Sequence, residues 1–172
     1  MSRPKNLSEN LPEILIIAAE ASSSLFAQRL IEYWKQKNLK IHAYGVGSNE
    51  MEKIGFECFG KAEEMAVMGL AEIREHYSEI KKVFYKILEE TRRRRPKVAI
   101  IMDYPGFNLK LAKELKTLKI PVVYYIPPQV WAWKKGRVHQ IRKYCDKVFS
   151  IFPFEKEFYQ AHGVNCEFIG HP

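Results

Sequence analysis

The feature that most limits the possible folds is an alternation, along almost the whole chain, between short apolar runs and longer amphipathic segments. Because the short runs are apolar throughout, both faces of each must be buried, as in a parallel sheet covered by helices. We therefore predict an α/β fold, a Rossmann-like parallel sheet with helices on both faces. The predicted strands are Ile14–Ala19, Ile41–Val46, Val98–Met102, Val122–Ile126, Val148–Phe152 and Cys166–Ile169. The predicted helices are Ser24–Gln36, Leu70–Arg94, Leu109–Leu118, Gly136–Tyr144 and Glu155–His162.

Length and composition fit a single domain. The chain has 172 residues, of which 47% are hydrophobic, and no apolar run approaches the length that crosses a bilayer. Residues 1–12 are a polar extension without the apolar centre of a signal peptide, so we expect a cytoplasmic domain over residues 13–172. The net charge of +8 favours an anionic partner, which could be nucleic acid, an anionic membrane or a phosphorylated ligand. For Arg92–Arg95 alone, a solvated helix end is the simpler interpretation.

Several kinds of chemistry have no signal in the sequence. Cys58, Cys145 and Cys166 are odd in number and widely spaced, which predicts reduced, structural thiols and no zinc site. There is no phosphate-binding P-loop, no HExxH and no GxSxG. We therefore expect neither a metal ion nor a cofactor.

Polar and Gly/Pro clusters follow the ends of the predicted strands. In sheets of this class, ligands bind outside the carboxyl ends of the strands, so these clusters would share one edge, which we call the carboxyl edge. This common placement predicts a functional site more strongly than any single cluster does. The clusters are Glu20–Ser24, Gly45–Ser48, Asp103–Asn108, Pro127–Trp133, Pro153–Glu155 and Gly170–Pro172.

The carboxylate of Asp103 is the candidate for chemistry. Asn108 directly precedes the predicted helix and is the better N-cap, which leaves Asp103 free. Burial can raise the pKa of a carboxyl group toward the range useful to a general base. From these residues alone, a structural and a catalytic role are equally open.

Each of the other clusters can be explained by a purely structural role, and most of them also by a functional role. One of the serines Ser22–Ser24 would cap the helix, or the turn would bind a phosphate or sugar oxygen. Gly45 and Gly47 indicate close backbone approach. The segment with Trp131 and Trp133 fits a buried pair, base stacking, sugar binding or a membrane interface. The apolar stripe from Ala66 to Ile87 indicates a helix packed on its sheet, or a surface that enters lipid.

Six segments in order resemble the N-terminal half of the lipid-A-disaccharide synthases, glycosyltransferases of the two-domain GT-B type: AAEASSSL, YGVGSNEME, EEMAVMGLAEI, IIMDYPGFNLKLA, YYIPPQVWAWKKGRVHQI with FPFEKEFY, and FIGHP. The resemblance implies transfer of 2,3-diacylglucosamine from its UDP derivative to 2,3-diacylglucosamine 1-phosphate. The products would be a β-1,6-linked disaccharide 1-phosphate and UDP, formed with inversion and without a metal. It also implies a peripheral enzyme on the cytoplasmic face of the inner membrane.

The resemblance implies roles for individual residues, with Asp103 as the catalytic base. The predicted substrate-binding residues are Glu20, Ser22, Asn108, Pro128, Gln129, Trp131 and Trp133. The predicted membrane contacts are Val67, Met68, Leu70, Ile73 and Tyr77, next to basic groups that would meet anionic headgroups.

Two departures keep other functions open. The family's first loop usually reads G-E-x-S-G-D, whereas this chain has Ala19–Ser24 without the glycines or the aspartate. The family also has a C-terminal donor-binding domain that these residues do not include, so we expect the chain alone to be inactive. The alternatives are a glycosyltransferase half with another lipid-linked acceptor, or a non-catalytic module that binds membrane or anions.

Overall fold

The structure, a computed structural model, describes residues 11–66, 73–130 and 136–171. The strands are β1 Glu13–Ala18, β2 His42–Gly47, β3 Glu57–Lys61, β4 Val98–Met102, β5 Val122–Tyr125, β6 Lys147–Ser150 and β7 Cys166–Phe168. The helices are α1 Ala21–Gln36, α2 Asn49–Lys53, α3 Ala62–Ala66, α4 Ile73–Arg94, α5 Pro105–Thr117, α6 Arg137–Tyr144 and α7 Pro153–Ala161. Of the helices within these ranges, none is long and apolar enough to cross a bilayer.

The strands form one parallel sheet with the order β3-β2-β1-β4-β5-β6-β7. From β1 the chain first builds outward through β2 and β3, and from β4 it builds in the opposite direction. The order therefore reverses between β1 and β4, where Ala18 pairs with Met102. This reversal is the point at which open parallel sheets form a crevice at their carboxyl edge. The predicted Rossmann-like α/β fold is confirmed.

The core lies on both faces of the sheet, as the continuous apolar runs predicted. In β1, Leu15 and Ile17 belong to one buried cluster, whereas Ile14 and Ile16 belong to the other. Residues of α1 and α2 pack on the second cluster, and residues of α4, α5, α6 and α7 on the first. This division follows from right-handed crossovers, because connections that run in opposite directions along the sheet place their helices on opposite faces.

Some elements differ from the sequence-based expectation. Strand β3 and the helices α2 and α3 were not predicted. Strand β3 lies at the edge of the sheet, has only one fully buried residue and carries little apolar signal. Helices α2 and α3 have five residues each, which is too short for a helical period to be seen. Helix α1 begins at Ala21 instead of Ser24, and α5 begins at Pro105 instead of Leu109. In α5 the proline occupies the first turn, where its fixed φ suits a helix and its missing N–H is not needed.

The close backbone approach predicted at Gly45 and Gly47 is confirmed at Gly45, which lies within β2 and not in a turn. Its φ is +138°, and a Cβ atom there would lie 2.1 Å from the carbonyl oxygen of Ile16 in β1. The ladder between β2 and β3 is irregular at the next residue, Val46. Gly45 therefore allows β2 to lie close against β1.

Arg94 ties the end of α4 to the amino edge of the sheet. Its side chain is only 10% exposed and donates hydrogen bonds of 2.7 Å to both carboxylate oxygens of Glu57 and one of 2.8 Å to Glu90. Its guanidinium also lies 4.6 Å from the ring centroid of Tyr44. The solvated helix end predicted for Arg92–Arg95 is thus correct for the exposed neighbours of Arg94 but wrong for Arg94 itself.

Candidate active site at the carboxyl edge

The candidate site forms where β1 and β4 end side by side. Because Ala18 is paired with Met102, Glu20 and Asp103 follow the ends of neighbouring strands at the point where the sheet order reverses. Glu20 is exposed, and Asp103 is partly buried. Topology thus brings together two carboxylates that lie far apart in the sequence.

Asp103 and Tyr104 adopt an unusual backbone conformation. Their φ angles are +44° and +37°, so two consecutive residues other than glycine are left-handed. Such residues cost about 1–3 kcal/mol each and are concentrated at functional sites. The left-handed pair turns the chain sharply from β4 into α5, which starts at Pro105.

Asn108 does not cap the helix, and its side chain instead hydrogen-bonds to the backbone of this turn. The predicted cap is wrong, because α5 begins at Pro105 with Tyr104 as its N-cap. Asn108 lies within the helix, is fully buried, and donates from Nδ2 to the carbonyl oxygens of Met102 at 2.7 Å and Asp103 at 2.8 Å. The structure therefore places Asn108 beneath the surface that a substrate would reach.

The carboxyl group of Asp103 has the properties of a base that works near neutral pH. Burial, and secondarily the charge of Glu20, raises its pKa to about 6. Among the residues that the structure describes, none donates a hydrogen bond to this carboxylate. The same two causes raise the pKa of the neighbouring Tyr104 hydroxyl.

The first loop is closed by its own serines, but none of them is the N-cap. Glu20 occupies that position, so the predicted serine cap is wrong. The N–H of Glu20 donates to Ser23 Oγ at 3.1 Å, and this hydroxyl donates to the carbonyl oxygen of Glu20 at 3.0 Å. Ser24 Oγ donates to the carbonyl oxygen of Ala18. Ser23 and Ser24 are buried, which leaves Glu20 and Ser22 exposed at the carboxyl edge.

The loop after β5 brings a third segment to this edge. Ile126 is left-handed, with φ +58°, and the buried Tyr159 of α7 donates from its hydroxyl to the carbonyl oxygen of Pro128 at 2.9 Å. Gln129 is exposed. Of the other predicted site residues, Trp131, Trp133, Val67, Met68 and Leu70 lie outside the described residues, and Ile73 and Tyr77 lie on α4 with side chains that are not described.

Sequence reasoning gave no individual role to three residues that the structure distinguishes at or near the carboxyl edge. Tyr104 directly follows Asp103, and Tyr124 of β5 donates from its hydroxyl to the carbonyl oxygen of Asp103 at 2.7 Å. Glu155, in the first turn of α7, is a carboxylate with only 1% exposure. Tyr124 has the sequence signal of an ordinary core strand residue. Glu155 stood in one of the predicted edge clusters, but only its burial distinguishes it from a surface helix residue.

A cavity of about 260 Å³ adjoins the first loop. It lies between α1 and the segments around α2 and α3, and it is lined by Ala21, Leu25, Gln28, Ser48, Glu50 and Glu63, among others. Among the residues that the structure describes, no three His, Cys, Asp or Glu side chains are grouped so that they could hold a metal ion.

These features define a Rossmann-like α/β domain with a candidate acid–base site at its carboxyl edge. Two crystal structures share the fold. One is a UDP-N-acetylglucosamine 2-epimerase, with a TM-score of 0.66 and 9% identity over 94% of this chain and 49% of that one. The other is a putative UDP-N-acetylglucosamine 2-epimerase from Listeria monocytogenes, with a TM-score of 0.64 and 12% identity over 91% and 44%. At these identities the likeness concerns the fold alone.

The chain belongs to the lipid-A-disaccharide synthetase family, whose profile matches residues 14–172. It is 42% identical over 160 residues to the lipid-A-disaccharide synthase of Anaeromyxobacter dehalogenans (strain 2CP-C) and 40% identical over 161 residues to that of Koribacter versatilis (strain Ellin345). The matches cover 93% of this chain but 42% of each relative. The resemblance found in the sequence is thus confirmed, and the family is one of glycosyltransferases in lipid A biosynthesis.

Proposed function

We propose that this chain forms the acceptor-binding and membrane-contacting half of a lipid-A-disaccharide synthase. The reaction would join 2,3-diacylglucosamine, donated by its UDP derivative, to the 6-hydroxyl of 2,3-diacylglucosamine 1-phosphate. The observation that carries the proposal is the family match over residues 14–172. It is supported by a carboxylate of raised pKa where the sheet order reverses.

Asp103 is the proposed general base. As the acceptor oxygen attacks the anomeric carbon of the donor, its proton passes to the Asp103 carboxylate, and the bond from that carbon to the UDP oxygen breaks. A single displacement of this kind inverts the anomeric centre. A pKa of about 6 makes Asp103 a stronger base than an ordinary aspartate while leaving it mostly ionised at pH 7.

The other predicted residues would bind the acceptor sugar or contact the membrane. Glu20, Ser22 and Gln129 are exposed at the edge and would bind the acceptor sugar, together with Pro128, Trp131 and Trp133. Val67, Met68, Leu70, Ile73 and Tyr77 would contact the anionic cytoplasmic face of the inner membrane. The donor would be bound largely by the part of the relatives that lies beyond the matched region. The proposed reaction uses neither a metal ion nor a cofactor.

The altered first loop bears on the alternative of another lipid-linked acceptor. Ala19, Ser23 and Ser24, which stand where the family usually has two glycines and an aspartate, are all buried, so none of the three side chains is exposed at the carboxyl edge. Measuring transfer to another lipid-linked sugar distinguishes this alternative.

Disaccharide formation from the two acylated substrates tests the proposal. It would be measured with the chain alone and with the chain joined to the C-terminal portion of the Anaeromyxobacter dehalogenans relative. We expect UDP release and disaccharide only from the joined protein. A folded joined protein that binds lipid vesicles but transfers no sugar would favour the non-catalytic module. Preferential transfer to a polyprenyl-linked sugar would favour the other acceptor.

The pH dependence of transfer is expected to report Asp103, and Glu20→Gln is expected to move it. A base must be deprotonated to act, so kcat/KM should rise with pH through about 6 and then level off. Because the charge of Glu20 raises the pKa of Asp103, Glu20→Gln should shift this rise to lower pH. Glu32→Gln, about three turns further along α1, is the matched control and should leave the midpoint unchanged. An unmoved midpoint in Glu20→Gln would show that the two carboxylates do not interact.

A further inference from the structure

We propose that Tyr124 and Asn108 are positioning residues that hold Asp103 in its left-handed turn and so keep its carboxylate at the carboxyl edge. The catalytic consequence rests on the proposed function, but the positioning itself is a property of this chain. Three hydrogen bonds and the burial of both side chains carry the inference.

Three hydrogen bonds converge on two consecutive backbone carbonyl groups, those of Met102 and Asp103. The hydroxyl of Tyr124 and the Nδ2 group of Asn108 both donate to the carbonyl oxygen of Asp103, at 2.7 and 2.8 Å. Asn108 Nδ2 also donates to the carbonyl oxygen of Met102 at 2.7 Å. At this point the chain leaves β4, and buried carbonyl groups that leave a strand ladder need new donors. Two side chains from α5 and β5 supply them.

The second support is that neither donor is available for another task. Tyr124 and Asn108 are both fully buried, so neither can reach a substrate at the edge. Burial, with the charges of Cys145, Tyr159 and Asp103, raises the pKa of Tyr124 well above its usual value. The phenol therefore remains a hydrogen-bond donor throughout the working pH range.

The third support is the backbone that these bonds hold. Asp103 and Tyr104 are both left-handed, a conformation that persists only where the surroundings over-determine it. Without the Tyr124 hydroxyl, the turn would relax and the Asp103 carboxylate would become better solvated. Among the described residues, Glu20 from the first loop raises the pKa of this carboxylate by its charge, whereas the Tyr124 hydroxyl donates to the backbone carbonyl oxygen of Asp103.

The test is a titration of the Asp103 carboxyl group by ¹³C NMR in the 172-residue chain, which needs no turnover. In the unsubstituted chain the midpoint should lie near 6. In Tyr124→Phe, which removes one oxygen atom, it should fall by roughly half a pH unit or more, toward the usual 3.8. In the joined protein, Tyr124→Phe should lower kcat roughly 10- to 100-fold with little change in KM.

Tyr44→Phe is the matched control. Tyr44 is equally buried but lies on β2 beside Arg94, so its hydroxyl does not contact the turn. This variant should leave the Asp103 midpoint unchanged. Equal midpoints in Tyr124→Phe, Tyr44→Phe and the unsubstituted chain would overturn the positioning role. A lowered midpoint in Tyr124→Phe without measurable transfer by any protein would retain the positioning role and count against the proposed function.

Discussion

Asp103→Asn is expected to lower kcat of the joined protein by roughly 10² to 10⁴-fold, the usual contribution of a general base. Asparagine has nearly the same shape as aspartate but cannot accept the proton of the attacking hydroxyl. It is also among the residues that best tolerate the left-handed region, so the turn at φ +44° should persist. The measurement is the steady-state rate of disaccharide formation at pH 8.

The same substitution should leave the fold as stable as before, or more stable. Burial raises the pKa of Asp103 to about 6 in the folded chain from 3.8, so the folded state binds more protons than the unfolded state between these values. Stability contributed by this group is therefore present at low pH and is lost as pH rises through about 6. Removing the ionisable group should raise the melting temperature at pH 8 but not at pH 4.

Asp146→Asn is the contrasting control. Burial alone would raise the pKa of Asp146, but hydrogen bonds from Lys116 and from the N–H of Val122 outweigh it and lower the pKa. Its contribution to stability is thus present at neutral pH and lost on acidification. Asp146→Asn should lower the melting temperature at pH 8 and retain transfer. Equal losses of transfer in the two variants would rule out a specific role for Asp103.

Gly45→Ala is expected to destabilise the chain by about 4 kcal/mol or more, which is exceptional for one methyl group. The added carbon would lie 2.1 Å from the Ile16 carbonyl oxygen and 3.0 Å from a methyl group of Leu15. Both obstacles belong to β1 in the centre of the sheet, and the residue would keep a φ of +138° that alanine rarely adopts. Relief would require β2 to separate from β1. Urea denaturation followed by circular dichroism measures the loss.

Gly106→Ala is the control, because it replaces glycine by alanine at a position where the added methyl group meets no neighbour. A Cβ at Gly106 meets nothing within 4 Å, and the residue lies in the first turn of α5. There alanine should be neutral or stabilising by about 0.5–1 kcal/mol. A Gly45→Ala chain with a melting temperature near that of Gly106→Ala would show that β2 can move away from β1.

Much of the fold and part of the site could be predicted from the sequence, because both depend on local patterns. Apolar runs too continuous for a half-exposed sheet implied a parallel sheet with two covered faces. The position of Asp103 after such a run then implied its place at the carboxyl edge, since all parallel strands end there. Strand β3 escaped prediction because an edge strand needs little apolar surface.

The tertiary structure alone decided how the site is held. Asn108 has the sequence position of a helix cap, yet a proline and two left-handed residues start the helix earlier and bury its amide under the turn. Tyr124 has the pattern of a core residue, and its hydroxyl becomes significant only because β5 lies beside β4. Hydrogen bonds between residues far apart in sequence depend on the order of the strands and on buried carbonyl groups that need donors. No local periodicity encodes either of these.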